Sequence, residues 1–493
     1  MFKKALEQQV NETTTWNGAK AFHSTNSAVL DLFAKGGSAR GEDRDTLRAL
    51  IRDAFNENIE LAAKTIFYLG DVREGQGFRD IFRVGIEFMV ERYPEAMAHV
   101  MTRIPEFTRW DMLYEFDNTP LEDNAYAIMR NVAFEMDKRE EPHLIFKWLK
   151  SPKTSSKEST RLGRKTARKF YMSEKEYRKF LSRNRKRMNL LERKMSDNEW
   201  DDIDYSKIPS LAGLKYRDAF LRHDPQGYED FLDRVNSGEE NMNMDVAYPY
   251  EIVTKYRRKG RMDKSLEAAW KSLKDYQDED ARNILTVVDT SGSMFSHISN
   301  QSETTCMDVS VSLGIYTAER LKGEFHNNFI TFSKSPSLIQ LSDQDSLKDK
   351  IEKVERANWG FNTDIDAVFD LILSTAVRNG INSEDMPESV LIVSDMQFDM
   401  ATRDDNTNFH TWAKRFSAKG YELPEIIFWN VAGANSVPIT VSDNGVALLS
   451  GMSPSVLEMI YKGNVVSAYE FMLRVINVPR YEFIGKVFRE LYM

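Results

Sequence analysis

The chain has 493 residues, of which 41% are hydrophobic and 29% charged, and its formal net charge is −9. This length exceeds what one ordinary hydrophobic core supports, so we expect a soluble protein of two or three domains. The single cysteine, Cys306, excludes an internal disulfide framework. Together with the lack of a signal peptide and of an apolar run of about 18 residues, it favours a cytoplasmic protein without a membrane span.

Residues 1–276 are predicted to form an α-helical repeat domain. The first 25 residues are polar and are predicted to form a loop, and after them apolar residues recur at helical spacing, as in Leu47, Ile51 and Ala54. No strand pattern occurs before about residue 280. This pattern predicts stacked pairs of helices, as in HEAT-like solenoids. Because no fixed repeat length occurs in the sequence, the predicted solenoid is irregular.

A basic stretch covers residues 147–194, which hold 18 Lys and Arg but only 4 Asp and Glu. Because acids to balance these cations are scarce nearby in the sequence, the stretch predicts a surface for a polyanion such as RNA. The alternative is a solvated helix face, the usual role of a charge run. The candidate RNA-binding residues, the first five of them at helical spacing, are Arg161, Arg164, Lys165, Arg168, Lys169, Arg183, Arg185, Lys186 and Arg187.

Aromatic residues lie just beyond the first group of these cations. Phe170, Tyr171 and Tyr177 are candidates for stacking on exposed bases. The alternative is that they pack into the core, which is the more frequent role of aromatic residues on amphipathic helices.

Residues 283–493 are predicted to form an α/β domain that follows a linker at residues 276–282. Strands alternate with helices, which predicts a doubly wound, Rossmann-like parallel sheet. The predicted strands after the first are His326–Ser333, its hairpin partner Ser337–Leu341, Ser389–Asp395, Glu425–Val431 and the weaker Val446–Ser450.

The first strand of this domain ends in a short polar motif. A near-continuous apolar run, Ile284–Val288, is typical of a strand buried on both faces, and Asp289, Ser291 and Ser293 follow it at alternate positions. Open α/β sheets bind ligands at the carboxyl ends of their strands. Carboxylate and hydroxyl oxygens suit a hard cation, so the motif predicts a Mg²⁺ (or Mn²⁺) site. The alternative is an ordinary loop in which a serine caps a helix.

Three residues cannot complete the six oxygen ligands of Mg²⁺, and two further candidates lie downstream. Thr363 begins a helical segment, and Asp395 ends a second buried-strand run. The five residues Asp289, Ser291, Ser293, Thr363 and Asp395 resemble, in type and order, the metal-ion-dependent adhesion site (MIDAS) of von Willebrand factor A (vWA) domains.

The chain as a whole resembles the Ro autoantigen (TROVE) family, in which a helical repeat ring is closed by a C-terminal vWA domain. It is most similar to the uncharacterised Ro-like proteins of phages, giant viruses and plants. The residues that carry the resemblance are Phe67–Gly77, Trp200, Ile203–Ser210, Val288–Met294 and Ser394–Asp399. The resemblance implies a ring-shaped helical domain, binding of structured or misfolded RNA as a ribonucleoprotein, and a metal-bearing vWA domain.

Three functions remain open at this point. The first is RNA binding together with a Mg²⁺-dependent vWA ligand site. The second is a protein-interaction scaffold whose metal grips a carboxylate of a partner, without RNA. The third is a metal-dependent phosphohydrolase, which is disfavoured because no second metal cluster, paired nucleophile or glycine-rich phosphate loop is evident. We therefore expect a binding protein and not an enzyme.

Overall fold

The structure is a computed structural model that describes residues 10–260, 263–276, 282–299, 302–332, 336–356, 364–398, 408–433, 436–461 and 463–493. A mainly helical region is followed by a region in which helices flank a mixed six-stranded sheet. This confirms the predicted order of a helical part and then an α/β part. HEAT-like repeats and a closed ring stay predictions. In the described ranges, no helix combines the length and hydrophobicity that crossing a membrane requires.

The helices of the first region are short and follow one another closely. Ser27, Asp43 and Asn58 each accept a backbone N–H at the start of a helix, which satisfies donors that have no partner within the helix. The α-helices are α1 Ala28–Gly36, α2 Arg44–Glu57, α3 Ile59–Gly70, α4 Arg79–Arg92, α5 Pro94–Val100, α6 Ile104–Phe107, α7 Glu122–Arg139, α8 Ile145–Trp148, α9 Lys157–Lys169, α10 Glu174–Arg187, α11 Leu191–Ser196, α12 Ser210–His223, α13 Pro225–Ser237, α14 Pro249–Lys259 and α15 Lys264–Lys271. Shorter 3₁₀ turns lie at Met101–Arg103, Trp110–Phe116 and Tyr205–Lys207.

A small β-hairpin precedes these helices, so the prediction of no strand before residue 280 is wrong. Strands β1 (Glu12–Thr14) and β2 (Lys20–Phe22) pair antiparallel, and Gly18 adopts a φ of +88° in the turn between them. Phe22 exchanges two backbone hydrogen bonds of 2.9 Å with Val437, in the second half of the chain. Strands this short leave little pattern in a sequence, because their stabilisation comes from a distant partner.

The six-stranded sheet has the order β5-β4-β3-β6-β7-β8. Its strands are β3 Ile284–Asp289, β4 Asn328–Phe332, β5 Ser337–Gln340, β6 Ser389–Ser394, β7 Glu425–Asn430 and β8 Val446–Ser450. All neighbours are parallel except β4 and β5, which form the predicted antiparallel hairpin at the edge. The centre of the sheet is closely packed, and the following residues of β3, β6 and β7 are no more than 1% exposed: Val287, Val288, Ile392, Val393, Ile427 and Phe428.

Helices cover the sheet and bring the chain back to the first region. They are α16 Cys306–Arg320, α17 Leu347–Glu355, α18 Asp366–Asn379, α19 Asn408–Ser417, α20 Leu457–Tyr461, α21 Ala468–Ile476 and α22 Pro479–Tyr492. Helix α16 approaches β3 closely because Gly314 has no side chain. A Cβ atom at Gly314 would lie 2.5 Å from Cγ2 of Val288.

The glycine-punctuated turn between α3 and α4 joins the two regions. Oε1 of Gln76 accepts the backbone N–H groups of Met452 and Ser453 at 3.1 and 3.2 Å. A Cβ atom at Gly75 would lie 1.9 Å from the carbonyl oxygen of Tyr68, so the turn requires glycine there. This turn, which ends the segment Phe67–Gly77 of the family resemblance, is therefore a contact between the helical region and the loop after β8.

The last helix, α22, packs along α3 and strengthens this contact. Asp71, which is fully buried, pairs with the guanidinium of Arg480 and accepts the hydroxyl of Tyr481 at 3.0 Å. Lys64 is 2% exposed and its Nζ lies 2.9 Å from a carboxylate oxygen of Glu482. The end of the chain is thus fastened to its first helices.

Candidate metal centre and cationic cleft

Two carboxylates meet at the carboxyl edge of the sheet. Because β3 and β6 are parallel neighbours with Val288 opposite Val393, the residues that follow these two positions, Asp289 and Ser394–Asp395, emerge side by side. Asp289 is fully buried and Asp395 is 5% exposed. The two predicted strands β3 and β6 thus place Asp289 and Asp395 next to each other.

Hydroxyl and amide groups orient the two carboxylates. Ser394 donates its hydroxyl to Oδ2 of Asp289 at 2.5 Å, and the N–H of Ser291 donates to Oδ1 at 2.9 Å. The hydroxyl oxygens of Ser291 and Ser293 are 3.1 Å apart, and Ser293 also bonds to Asp395. Ser394 was not among the predicted site residues, although it directly precedes Asp395 in the sequence.

The negative charge of this pair is not balanced by any cationic side chain in the described part of the protein. Burial, and then the nearby charge of Asp395, raise the pKa of Asp289. Burial likewise raises the pKa of Asp395. Two carboxylates out of water without a cation are costly, because desolvation penalises their charged forms.

Four of the five predicted metal ligands, Asp289, Ser291, Ser293 and Asp395, lie together at this edge. The fifth, Thr363, lies outside the described residues. Within the described ranges, no cluster of three or more His, Cys, Asp and Glu side chains forms, so an ion here would depend on hydroxyl and water oxygens besides the two carboxylates.

Cys306 lies at the start of α16, close to the two carboxylates. Its Sγ is 3.9 Å from the carbonyl oxygen of Val431 and the side chain is buried. Burial first, and then the charges of Asp395 and Asp289, raise the pKa of the thiol to about 12. The thiol therefore stays protonated at neutral pH and behaves as a small core residue.

The cations of the basic stretch are largely paired, and acids are not scarce around them in space. Arg161 and Lys165 both reach Asp117 at 2.6 Å, and Lys169 lies 3.0 Å from Glu122. These acids lie just before α7 and in its first turn, and the fold brings them against α9. The sequence-based expectation of an unbalanced cationic face is wrong for these three residues.

The second group of cations also has structural partners. Arg183 and Arg187 share Asp137 at 2.6 and 3.1 Å. Arg185 is half-buried and donates to the carbonyl oxygens of Phe146 and Leu149, at 2.8 and 2.6 Å, so it holds the segment around α8.

Three of the nine predicted RNA-binding residues remain available. Arg164 makes a loose 3.3 Å contact with the exposed Glu174, and neither Arg168 nor Lys186 has an ion pair with a described side chain. They are the members of the predicted set that are best placed to meet phosphates.

The three candidate stacking residues differ in exposure. Phe170 and Tyr177 are buried, 1% and 0% exposed, and pack with other rings, so they are not available to bases. Tyr171 is 84% exposed, and the guanidinium of Arg130 lies 5.1 Å from the centre of its ring. Of the three, only Tyr171 keeps its stacking role as a prediction.

A separate cationic cleft lies where the helical region meets the loop that follows Asp289, Ser291 and Ser293. Its volume is about 790 Å³, and one wall is formed by Ile298, Ser299 and Ser302–Thr304. Five basic residues line it, Arg40, Arg79, Arg83, Lys255 and Arg258, and they outnumber its three acidic residues, Asp80, Glu251 and Glu303. Arg83 pairs with Asp80 and Arg258 with Glu303, which offsets part of the positive charge. No local pattern in the sequence indicates this cleft, because its cations come from three separated segments.

The electrostatics of the cleft favour an anion. Helix α4 starts at Arg79 beside the cleft, and Phe78 before it provides no capping side chain, although Asp80 in the first turn offsets part of the helix dipole. The Nε atom of Arg40 is buried without a hydrogen-bond partner. Burial, and then the charges of Arg109 and Arg83, lower the pKa of Arg79.

Two family models match the chain. Residues 15–108 and 123–294 match a family described as a domain of unknown function, DUF2828, and residues 283–478 match a second domain of unknown function, DUF7788. The chain is also 26% identical over 512 residues to "Uncharacterized protein L728" of Acanthamoeba polyphaga mimivirus, across 95% of this chain and 87% of the viral protein.

Among solved structures, the Ro (RSR) protein of Deinococcus radiodurans matches with a TM-score of 0.46 and 12% identity, over 92% of this chain and all of that one. A TM-score this low does not establish a shared fold. The DUF2828 match, in contrast, spans more than half of the chain, and the protein therefore belongs to the DUF2828 family.

Proposed function

We propose that this protein is a Ro-like binding protein whose C-terminal region acts as a vWA-type domain and binds an anionic group through a divalent cation. The observation that carries the proposal is the buried pair Asp289 and Asp395, which no cationic side chain in the described residues balances. A divalent cation would neutralise both carboxylates, and hard oxygen donors suit Mg²⁺ or Mn²⁺.

The donor set fits such an ion. Asp289, Ser291, Ser293 and Asp395 would hold it directly or through water, with Thr363 as the fifth candidate. The bound ion would supply a positive charge for an anionic group of the ligand. The protein itself orients the carboxylate of Asp289 through the hydroxyl of Ser394 and the backbone N–H of Ser291. The role is binding, and we assign no chemical step to the site.

Calorimetric titration with Mg²⁺ and with Mn²⁺ tests this proposal. We expect wild-type protein to bind one ion and Asp289→Ala to bind none, because the variant removes one of two charged ligands. Asp385→Ala, which removes an exposed carboxylate elsewhere in the same region, should bind as wild type does. Equal affinity of wild type and Asp289→Ala for both ions would overturn the proposal.

RNA binding is a second candidate function, and the cationic cleft is the observation that favours it. Five basic residues outnumber three acidic ones around a space large enough for a phosphate-bearing chain, and α4 starts there without a capping side chain. Phosphate contacts by Lys and Arg supply most of the affinity for nucleic acids. The exposed Arg164, Arg168 and Lys186 would extend this positive surface outside the cleft.

Fluorescence anisotropy with a labelled structured RNA tests this second function. We expect micromolar binding at about 100 mM salt, and weaker binding by the double variant Arg40→Gln with Arg79→Gln, with the salt dependence flatter by about one unit per lost contact. A second variant, Arg164→Gln with Arg168→Gln, measures the share of the basic stretch. If wild type shows no binding under these conditions, RNA is not a ligand and the protein-interaction scaffold takes its place.

A further inference from the structure

The turn of the N-terminal hairpin lies against the loop that follows Asp395. The backbone N–H of Trp16 donates to Oε1 of Gln397 at 2.8 Å, and Nδ2 of Asn17 donates to the carbonyl oxygen of Gln397 at 2.6 Å. Gln397 in turn donates its own N–H to Oδ1 of Asp395 at 3.1 Å. Gln397 thus connects a segment near the start of the chain to Asp395, a candidate metal ligand, through hydrogen bonds.

The turn is firmly held, yet its largest side chain is not packed. Thr15 donates its hydroxyl to the carbonyl oxygen of Phe398 at 2.6 Å, and Thr15, Ala19 and Val437 seal an apolar pocket beneath the hairpin. The side chain of Trp16 is 93% exposed. The hydrogen bonds therefore fix the backbone of the turn, which carries a large and exposed aromatic side chain.

An exposed, positioned tryptophan beside a binding site is characteristic of a contact residue. Tryptophan is enriched among the few residues that dominate binding at protein interfaces, because it buries a large apolar area with little loss of side-chain freedom. Fixing the turn in advance lowers the entropic cost of binding further.

We propose that Trp16 and the metal site form one binding surface for a protein partner that presents a carboxylate with an apolar side chain beside it. The carboxylate occupies the open position of the ion, and the apolar side chain packs on the indole. This inference rests on the proposed metal-dependent function and adds to it the kind of partner and a residue that determines specificity.

Charge favours a protein partner over RNA at this surface. Residues 283–493 contain 27 Asp and Glu but 17 Lys and Arg, so the region is clearly acidic. A divalent ion cancels the charge of its two carboxylate ligands and keeps an open position. A single carboxylate of a partner can fill that position. The repeated phosphates of an RNA chain would meet the negative charge of this region, whereas a single carboxylate needs only the one open position of the ion.

The experiment uses the full-length chain and a library of short peptides with one central Asp and varied neighbours. Peptides that bind in Mg²⁺ and are released by a chelator are selected, and their affinities for wild type, Trp16→Ala and Phe483→Ala are compared. Phe483→Ala is the control, because it removes an exposed aromatic side chain that belongs neither to the hairpin nor to the candidate RNA-binding residues. Mg²⁺ titration without peptide is run on all three proteins, and a labelled single-stranded RNA is tested in parallel.

We expect the selected peptides to have apolar residues next to Asp, and to bind Trp16→Ala at least about tenfold more weakly than wild type and Phe483→Ala. Mg²⁺ affinity without peptide should be equal in all three. Equal peptide affinity for wild type and Trp16→Ala would overturn the inference, as would a failure to select any Mg²⁺-dependent peptide. RNA binding that depends on both Mg²⁺ and Trp16 would overturn it in favour of RNA. Loss of the proposed function is seen separately, as absence of Mg²⁺ binding by wild type.

Discussion

At the scale of single residues, the candidate site depends on how a buried carboxylate is held. Asp289 has both oxygens engaged, one by the hydroxyl of Ser394 and one by the N–H of Ser291. These bonds fix the orientation of the carboxylate, but they do not remove its charge. The two parallel strands that end at the site must stay aligned for the carboxylates to meet, so the packing beneath them matters as much as the ligands.

Val288, directly before Asp289, is the residue whose substitution should test this packing. It is fully buried in β3 and faces Gly314 of α16. We expect Val288→Asp to lower the free energy of unfolding by several kcal/mol, because it buries a charge without a partner. Urea unfolding followed by tryptophan fluorescence measures the effect. Val288→Thr, of similar shape, should cost less, and equal stability of wild type and Val288→Asp would contradict the packing described here.

At the scale of elements, neighbouring helices decide what a charge run does. Helices α9 and α10 carry most of the predicted RNA-binding residues, yet acids of α7 and the turn before it take up much of their charge. Lys165, for instance, lies between Asp117 and Glu122. Burial is outweighed at Glu122 by its hydrogen bonds to Lys165 and to the N–H of Asn118, so that its pKa falls to about 2. The pairs stay ionised across the physiological pH range and tie the three helices together.

At the scale of the whole molecule, the two ends of the chain are joined to each other. The first helices contact the loop after β8 through Gln76, and α22 returns to Asp71 and Lys64. The N-terminal hairpin likewise pairs with residue 437. The regions defined by sequence pattern are therefore not separate bodies in space, and the candidate metal site receives a neighbour, Trp16, from the opposite end of the chain.

Gln76→Ala should weaken this connection measurably. The variant leaves the N–H groups of Met452 and Ser453 without their buried acceptor, which costs about 1–3 kcal/mol for such groups. Differential scanning calorimetry should show a lower melting temperature than that of wild type. Gln344→Ala, at an exposed position, is the matched control and should melt as wild type does. An unchanged melting temperature for Gln76→Ala would mean that the contact does not stabilise the molecule.

The sequence by itself determined those features that local pattern encodes. Helical spacing of residues such as Leu47, Ile51 and Ala54 indicated the helices of the first region, and buried apolar runs indicated β3 and β6 together with the acids that end them. Such features are predictable because the side-chain periods of helices and strands are properties of the local backbone.

Only the tertiary structure decided the partners of charges and of short strands. Lys165 is paired because Asp117 and Glu122 approach it from an earlier helix, the hairpin exists because Val437 lies beside Phe22, and the cationic cleft collects arginines from separated segments. Charge interactions and β-pairing depend on distance in space and not in sequence, so no local pattern could reveal them.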